Sequence, residues 1–351
     1  MIKSFTPAIP NYNESVRKIA KKQPLYFRTK KFNLLLKKCQ ELLKYHLHCK
    51  SGEVVILTAS GTGAMDASIQ NLIDKKDKIL IIVGGSFGER WTQMCEHYKL
   101  HYDIFETEFG KNINLEELKT VIEINKPTHI LIQHNETSSM QLYPIKEIGI
   151  LCKKYKIRFI VDAISSFCID YIDMDNWNID CVIISTNKGV GTYSGLSAII
   201  FKSILKRNLS VSYYFNFDKY IKDFEDVSLP FTPNLTSIYQ LYYQLNKFKK
   251  IGLKNIINKI HKRAIHFRTM IIKFNLPFKI IAQTSSNCGT ALYTNRTDVK
   301  YLFEKLQKKN IFFTPSGGKQ GKKFIIGHIG EQSIKDNFII IKELQKWLRK
   351  K

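Results

Sequence analysis

Several features that would assign a chain to a particular class of protein are missing here. The seven cysteines form no CxxC pair, so the sequence indicates neither a zinc knuckle nor a disulfide framework, and we expect no metal site. No stretch approaches the roughly 18 apolar residues needed to span a bilayer. The opening MIKSFTPAIP lacks the apolar core of a signal peptide. We therefore expect a cytoplasmic protein with no membrane partner.

Arginine is scarce for so basic a chain. The formal net charge is +25, but only 9 of the 55 Lys and Arg residues are arginine, and the lysines are scattered. A nucleic-acid-binding surface usually concentrates its positive charge on one face or along one helix. We therefore expect no nucleic-acid partner and interpret the lysine excess as compositional bias. Attraction of anionic ligands is the alternative.

The 351 residues, 44% of them hydrophobic, are enough for a globular chain with more than one domain. Residues 31–47 have the three- and four-residue apolar spacing of an amphipathic helix. Six apolar segments alternate with helical stretches from residue 53 to about 205 and are predicted strands: VVILTAS, KILIIVGG, HILIQHN, RFIVDAI, CVIISTN and LSAIIFK. This order predicts a mostly parallel sheet between helices, with ligands bound at the carboxyl ends of its strands.

A second, smaller α/β unit follows. A long helical region begins near residue 237 and leads to shorter predicted strands at TALYT and KFIIGHI, then to a helix around KELQKWL. We predict a large domain over residues 15–240 and a small domain built from residues 1–14 and 241–351.

The first predicted strand ends in TASGTGAMDA, where small residues lead into a helix. Backbone N–H groups at a helix N-terminus suit a phosphate, and the hydroxyls of Ser60 and Thr62 add donors. The segment is neither a Walker A loop nor a complete GxGxxG motif. An ordinary strand-to-helix turn would also explain it.

Two further strand ends carry candidate ligand-binding residues. In GGSFGERW, glycines flank Phe87 and could hold its ring where a flat ligand stacks, although a core phenylalanine fits the same pattern. Asp162 ends the apolar strand RFIV. A carboxylate there needs a partner, because an unpaired buried charge is unfavourable, and a helix-capping role is the alternative.

Lys188 follows the strand CVIIS, and lysine is rarely buried without a partner. An ε-amine whose pKa is lowered by burial becomes a nucleophile toward a carbonyl carbon. A phosphate turn, a stacking ring, an acid and a lysine together are the parts that pyridoxal 5′-phosphate requires. Lys188 would form a Schiff base with its aldehyde and then act as the base that moves the Cα proton, while Asp162 would pair with the pyridine nitrogen.

The order of motifs resembles a known family. SGTGAMDA, GGSFGERW, HNETSS, VDAISSF, STNKGVG and PFTPNLTSIYQL occur as in the class V pyridoxal-phosphate aminotransferases, in the branch acting on alanine or serine with glyoxylate and on 2-aminoethylphosphonate with pyruvate. The resemblance extends over nearly the whole chain. It implies the fold type I of pyridoxal-phosphate-dependent transferases and a homodimer with its active sites at the subunit interface.

The resemblance also implies roles for individual residues. Ser60, Gly61 and Thr62 match the phosphate-binding turn, Phe87 the stacking aromatic, and Ser138 a hydroxyl near the ring oxygen. Asp162 matches the partner of the ring nitrogen, Ile164 packs on the opposite ring face, and Lys188 matches the Schiff-base lysine. Asn187 stands where an amide bonds the phosphate, and Thr232 matches a threonine that reaches the phosphate of the neighbouring subunit.

One position departs from the family pattern. Members usually have an arginine that binds the substrate carboxylate where this chain has Ile325, in KFIIGHIG. An isoleucine cannot replace a bidentate guanidinium. We expect an aminotransferase that moves an amino group from a small donor, such as alanine, serine or 2-aminoethylphosphonate, to a 2-oxo acid such as pyruvate or glyoxylate. Decarboxylase, lyase or desulfurase chemistry with the same cofactor, and a binding protein without activity, are the alternatives.

Overall fold

The computed structural model describes residues 2–203, 211–226, 229–316 and 321–349. Its helices are α1 (Glu14–Ala20), α2 (Lys30–His46), α3 (Gly61–Leu72), α4 (Ser86–His97), α5 (Leu115–Asn125), α6 (Ile145–Tyr155), α7 (Phe217–Asp226), α8 (Leu235–Ile251), α9 (Leu253–Lys273), α10 (Val299–Gln307) and α11 (Ile334–Leu348). Its strands are β1 (Lys3–Phe5), β2 (Glu53–Leu57), β3 (Ile79–Val83), β4 (Tyr102–Glu106), β5 (His129–Gln133), β6 (Asn135–Glu136), β7 (Gln141–Leu142), β8 (Arg158–Asp162), β9 (Cys181–Ser185), β10 (Ser197–Phe201), β11 (Lys279–Ile280), β12 (Gly289–Tyr293), β13 (Ile311–Ser316) and β14 (Lys323–Gly327).

A seven-stranded sheet forms the centre of the larger part, in the order β2-β10-β9-β8-β5-β3-β4. Strands β9, β8, β5, β3 and β4 are parallel, and β10 is antiparallel to both β9 and β2. The central strands are buried along nearly their whole length because helices pack against the sheet. The prediction of a mostly parallel sheet between helices is confirmed, as are all six predicted strands.

Strand β4 was not predicted from the sequence. It lies at the edge of the sheet, paired only with β3 in the strand order, and Ile104 is half exposed. An edge strand has little apolar surface to bury. Apolar and polar residues therefore alternate too weakly in its sequence YDIFE for a strand to be predicted.

The large core lies on both sides of this sheet and extends into the helices after it. It includes Trp91 of α4 and Phe159 of β8, and it reaches Phe248 near the end of α8. The long helical region predicted after residue 237 is two helices, because Gly252 has a φ of 88° that ends α8.

The smaller part contains a five-stranded sheet in the order β1-β13-β14-β12-β11. The N-terminal strand β1 pairs in parallel with β13, so the two ends of the chain share this sheet. A second core packs around Phe324 and Trp347. The predicted boundary at residue 240 falls inside α8, and the domain limits stay a prediction. No helix among the described residues is long and apolar enough to cross a membrane.

Candidate active site

The chemically distinctive side chains gather at one edge of the seven-stranded sheet. The carboxyl ends of parallel strands lie at the same edge of a sheet. Five strands end at this edge here: β2, β3, β5, β8 and β9. Asp162 ends β8, and Lys188 lies in the loop that follows β9, the neighbouring strand.

Lys188 is held in a tight loop between β9 and β10. The backbone N–H of Thr192 donates to Thr186 O, which closes the loop. At Gly189 a Cβ atom would lie 2.0 Å from the backbone oxygen of Phe167, so only glycine fits after the lysine. Burial lowers the pKa of the Lys188 amine below its usual value. Cys288 and Asp162 oppose this shift, and the positive charge of Arg90 adds to it.

Asp162 is a buried carboxylate with few partners. Its side chain is 5% exposed and accepts one hydrogen bond, 2.7 Å from the backbone N–H of Ile164. Among the described residues, no cationic nitrogen lies within 4.0 Å of this carboxylate. Burial raises the pKa of Asp162 to about 7, against the effect of the Ile164 hydrogen bond and of the more distant charges on Lys188 and Arg90. The carboxylate is therefore poised for a cationic partner.

The predicted phosphate turn is the N-terminus of α3. Ser60 caps the helix, and its Oγ accepts a hydrogen bond from the Gly63 N–H at 3.2 Å. The first backbone N–H groups of a helix have no intrahelical acceptors. A Cβ atom at Gly61 would lie 2.6 Å from Cδ1 of Ile164, so this glycine lets the turn pack directly on Ile164. The structure thus brings together four residues predicted for the site: Ser60, Gly61, Thr62 and Ile164.

Arg90 is a member of this cluster that sequence reasoning missed. Its guanidinium carbon lies 4.6 Å from the centroid of the Phe87 ring, and its Nη1 donates to Thr62 Oγ1 at 2.9 Å. Arg90 also acts on the pKa values of both Asp162 and Lys188. The available signal was its position three residues after Phe87, on the same face of α4.

Glu136 was also missed, although its motif was recognised. It is fully buried beneath the start of α4 and the turn at Ser138 and accepts hydrogen bonds from both. The signal in the sequence was a carboxylate that follows a buried strand closely, as Asp162 does.

Two predicted residues have contacts that bear on their roles. Asn187 accepts from Ser185 Oγ at 2.6 Å, and its Nδ2 donates to Ala8 O at 3.0 Å, so one amide hydrogen is left for a ligand. Thr232 is exposed and lies two residues before Asn234, whose N–H donates to Thr58 Oγ1 at the end of β2.

Ile325 is enclosed by apolar side chains. It is 4% exposed and belongs to a cluster with Met140, Cys288 and Ala291. No guanidinium can act from this position. Burial raises the pKa of the Cys288 thiol to about 12, so this cysteine is protonated at neutral pH and packs as an apolar side chain.

Together these residues fit pyridoxal 5′-phosphate. The α3 N-terminus offers N–H groups to a phosphate, Phe87 and Ile164 offer apolar surfaces to a ring, and Asp162 lacks a cationic partner that a protonated ring nitrogen would supply. Lys188 offers an amine whose pKa is lowered. The Arg90 guanidinium lies over the ring of Phe87, the residue expected to stack on the cofactor.

The chain is similar to several known proteins. The sequence profile of the family described as Aminotransferase class-V matches residues 11–276. An uncharacterized aminotransferase of Methanocaldococcus jannaschii is 30% identical over 313 residues, which are 86% of this chain and 81% of that protein. A 2-aminoethylphosphonate–pyruvate transaminase of Phocaeicola vulgatus is 25% identical over 291 residues, 79% of each chain.

The fold also has solved counterparts. The crystal structure of alanine–glyoxylate aminotransferase from Nostoc sp. superposes with a TM-score of 0.93 at 24% identity, covering 99% of this chain and 95% of that one. At that identity the likeness concerns the fold, which is the fold type I expected from the sequence.

Proposed function

Because this chain belongs to the class V aminotransferases, whose cofactor is pyridoxal 5′-phosphate, we propose that it transfers an amino group from a small donor to a 2-oxo acid. The proposed donors are alanine, serine or 2-aminoethylphosphonate, and the proposed acceptors are pyruvate or glyoxylate. The observation that carries the proposal is the neighbouring position of Lys188 and Asp162, each of which acts on the pKa of the other.

Lys188 has two proposed tasks. Pyridoxal phosphate, when bound, supplies an aldehyde that condenses with amines and a ring that accepts electrons from the Cα–H bond. The pKa of Lys188 is lowered by burial, so more of its amine is unprotonated near neutral pH than for an exposed lysine. Lys188 would hold the cofactor through this unprotonated Nζ, with the aldehyde oxygen leaving as water. Once a substrate amine has replaced it, the same Nζ would be the base that takes the substrate Cα proton and returns it to another carbon.

The other residues are proposed to hold the cofactor. Ser60, Gly61 and Thr62 bind the phosphate at the N-terminus of α3, aided by the remaining amide hydrogen of Asn187. Phe87 and Ile164 enclose the ring. Asp162 keeps a proton on the ring nitrogen, because a cation beside its carboxylate removes the penalty that burial imposes on the ionised acid. Ser138 contacts the ring oxygen.

We further propose a homodimer in which Thr232 of one subunit reaches the cofactor phosphate of the other. Thr232 is exposed, and the segment after it is anchored beside the phosphate turn through Asn234 and Thr58. A second subunit against this face would bring its own Thr232 within reach of the turn only if the interface is isologous, as in most dimers.

The environment of Ile325 favours a second candidate reaction. A substrate carboxylate facing Ile325 would meet the apolar cluster that contains Met140 and Cys288. Loss of that carboxylate as CO₂ relieves the unfavourable contact, so a decarboxylase with the same cofactor is the alternative. The same environment favours amino donors without an α-carboxylate over ordinary α-amino acids.

A panel of donors and acceptors tests both reactions on cofactor-loaded protein. The transaminase proposal predicts that alanine, serine or 2-aminoethylphosphonate bleaches the visible band in single turnover, and that pyruvate or glyoxylate restores it. Release of CO₂ in stoichiometric amounts, with no amino product from the acceptor, would support the decarboxylase instead. Absence of any spectral change across the panel contradicts both reactions.

A further inference from the structure

Glu136 is the centre of a network that no part of the proposed reaction uses. Its Oε2 accepts hydrogen bonds from the backbone N–H groups of Phe87 and Gly88, at 3.2 and 3.1 Å, and from Nε2 of Gln133 at 2.9 Å. Its Oε1 accepts from the N–H of Ser138 at 3.1 Å and from its hydroxyl at 2.5 Å. The carboxylate thus joins the start of α4 to the turn after β6.

The close contact of the start of α4 with Glu136 and Ser138 requires a glycine at position 85. A Cβ atom there would lie 2.5 Å from Ser138 Oγ and 2.8 Å from Cδ of Glu136. Gly85 precedes the first residue of α4 and provides no capping side chain, so the distant Glu136 carboxylate takes the place of an N-cap.

The donors around Glu136 oppose the effect of burial on its charge. Burial raises the pKa of Glu136, and the hydrogen bonds from Ser138, Gly88 and Phe87 lower it. Four N–H groups point at the two oxygens, and N–H groups can only donate. A protonated carboxyl could place its hydrogen only toward the Ser138 hydroxyl without meeting one of these N–H groups. The four N–H donors favour the ionised form, in which Glu136 only accepts.

The hydroxyl of Ser138 therefore has no hydrogen to spare. Its hydrogen lies on the bond to Glu136 Oε1, and its Oγ also accepts from the N–H of Ser86 at 3.3 Å. A serine hydroxyl has one donor hydrogen and two acceptor lone pairs. One lone pair remains for a ligand.

We propose that Glu136 is a positioning residue that makes Ser138 an obligate hydrogen-bond acceptor toward the bound ligand. The inference rests on the proposed function, in which Ser138 contacts the ring oxygen of the cofactor. A ligand group that faces Ser138 must then carry a hydrogen, such as a hydroxyl or an ammonium group, and an ionised oxygen is disfavoured there. Wild-type protein accordingly favours the protonated ring oxygen.

Glu136→Gln should reverse the direction of this hydrogen bond. A glutamine has one acceptor oxygen. Gly88 and Gln133 donate to Oε2 alone, and the Phe87 N–H lies nearer to Oε2 than to Oε1, at 3.2 against 3.4 Å, whereas both Ser138 donors lie on Oε1. The amide oxygen should take the Oε2 position, which directs the amide NH₂ at Ser138. The hydroxyl can rotate to accept from that NH₂ and then donates its hydrogen to the ligand.

The test is the absorption spectrum of cofactor-loaded protein at one fixed pH, for wild type, Glu136→Gln, Ser138→Ala and the double variant. An ionised ring oxygen absorbs at longer wavelength than a protonated one. Glu136→Gln should raise the ratio of visible to near-ultraviolet absorbance about fivefold, as expected for one hydrogen bond. In the Ser138→Ala background the same substitution should leave the ratio unchanged, because no hydroxyl remains to rotate.

The possible outcomes separate the two proposals. An equal rise with and without the Ser138 hydroxyl would assign the effect to the lost charge and overturn the inference, as would an unchanged ratio in the single variant. Wild-type protein that shows neither the visible nor the near-ultraviolet band of bound cofactor overturns the proposed function itself. If Glu136→Gln does not fold, neutron diffraction from wild-type crystals decides: a Ser138 hydrogen directed into the site rather than at Glu136 refutes the inference.

Discussion

Arg90 lies over the face of Phe87, with its guanidinium carbon 4.6 Å from the ring centroid, three residues further along α4. The same guanidinium donates to Thr62 in the turn proposed to bind phosphate. A cation stacked on an aromatic ring keeps some of its N–H groups available, because the contact uses its flat face. Arg90 is thus placed to attract an anionic cofactor and to lower the pKa of Lys188 before the cofactor arrives.

Replacing Arg90 by methionine should slow cofactor binding and move its pH dependence. Loss of a charge-assisted bond to phosphate should weaken pyridoxal phosphate binding about 10- to 100-fold. Without the nearby positive charge the pKa of Lys188 rises, so the midpoint of the pH–rate curve for cofactor uptake by apoprotein should move to higher pH. Arg158→Met, at the opposite end of β8, is the control and should leave that midpoint unchanged. A midpoint that stays in place in both variants contradicts the role given to Arg90.

Asp162→Asn should stabilise the apoprotein and destabilise the cofactor complex. Burial raises the pKa of this carboxyl to about 7 in the folded state, from an ordinary value of 3.8. A raised pKa means that stability is lost as the pH increases from 3.8 through 7, where the folded protein must ionise the acid. At pH 8.5 the apo variant should be more stable on the order of a few kcal/mol, and the gain should vanish near pH 4.

With cofactor bound, Asp162→Asn should lower the stability of the protein, because the ionised Asp162 then has a cationic partner. Denaturation curves from pH 4 to 9, with and without pyridoxal phosphate, measure both effects. Asp170→Asn is the matched control: burial raises the pKa of Asp170 to about 6, and its partners are Ser286 and Asn287. It should stabilise the apoprotein similarly without any reversal on loading. Parallel curves for wild type and Asp162→Asn at all pH values would refute the prediction.

Gly189→Ala should destabilise the protein severely. The added methyl group would lie 2.0 Å from Phe167 O and 2.7 Å from Cγ1 of Ile169, both in well-packed surroundings. We expect a loss of about 3 kcal/mol or more in the free energy of unfolding, since the backbone that carries Lys188 has to move. Gly63→Ala is the comparison, because its nearest neighbour would be Ala59 Cβ at 3.1 Å. The urea midpoint of Gly189→Ala should be clearly lower than that of Gly63→Ala. Equal midpoints would show that the loop carrying Lys188 can adjust to the added methyl group.

The proposed dimer predicts complementation between inactive subunits. Lys188→Ala should be inactive and without a visible band, and Thr232→Ala should bind cofactor about tenfold less tightly for one lost hydrogen bond to phosphate. In a mixed dimer, one site would combine an intact Lys188 with an intact Thr232 from the other subunit. After subunit exchange at limiting cofactor, an equimolar mixture should recover about a quarter of wild-type activity. No recovery, with exchange confirmed by mass spectrometry, would place Thr232 in its own subunit's site or outside the site.

The positions of Lys188 and Asp162 were predictable because each depends on a local pattern. A buried run such as CVIIS or RFIV ends in a polar residue, and the parallel arrangement carries all such ends to one edge. The roles of Glu136 and Arg90 depend on packing between segments far apart in sequence. The bond from Phe87 N–H to Glu136 joins residues 49 positions apart, and no spacing rule relates them. The substitution at Ile325 was visible in the sequence, but its apolar surroundings come from Met140 and Cys288, which only the fold assembles.

The pairing of β1 with β13 has a consequence for biosynthesis. Lys3 pairs with Ile311, and Ala8 a few residues later accepts a hydrogen bond from Asn187, which precedes Lys188. On the ribosome the partner strand emerges about 300 residues after β1, which at about 5–20 residues per second is a delay of tens of seconds. Until then the amino-terminal segment has no sheet to join, and the lysine loop lacks a neighbour. Deletion of β1 should therefore leave β13 as an open edge and promote aggregation of the protein.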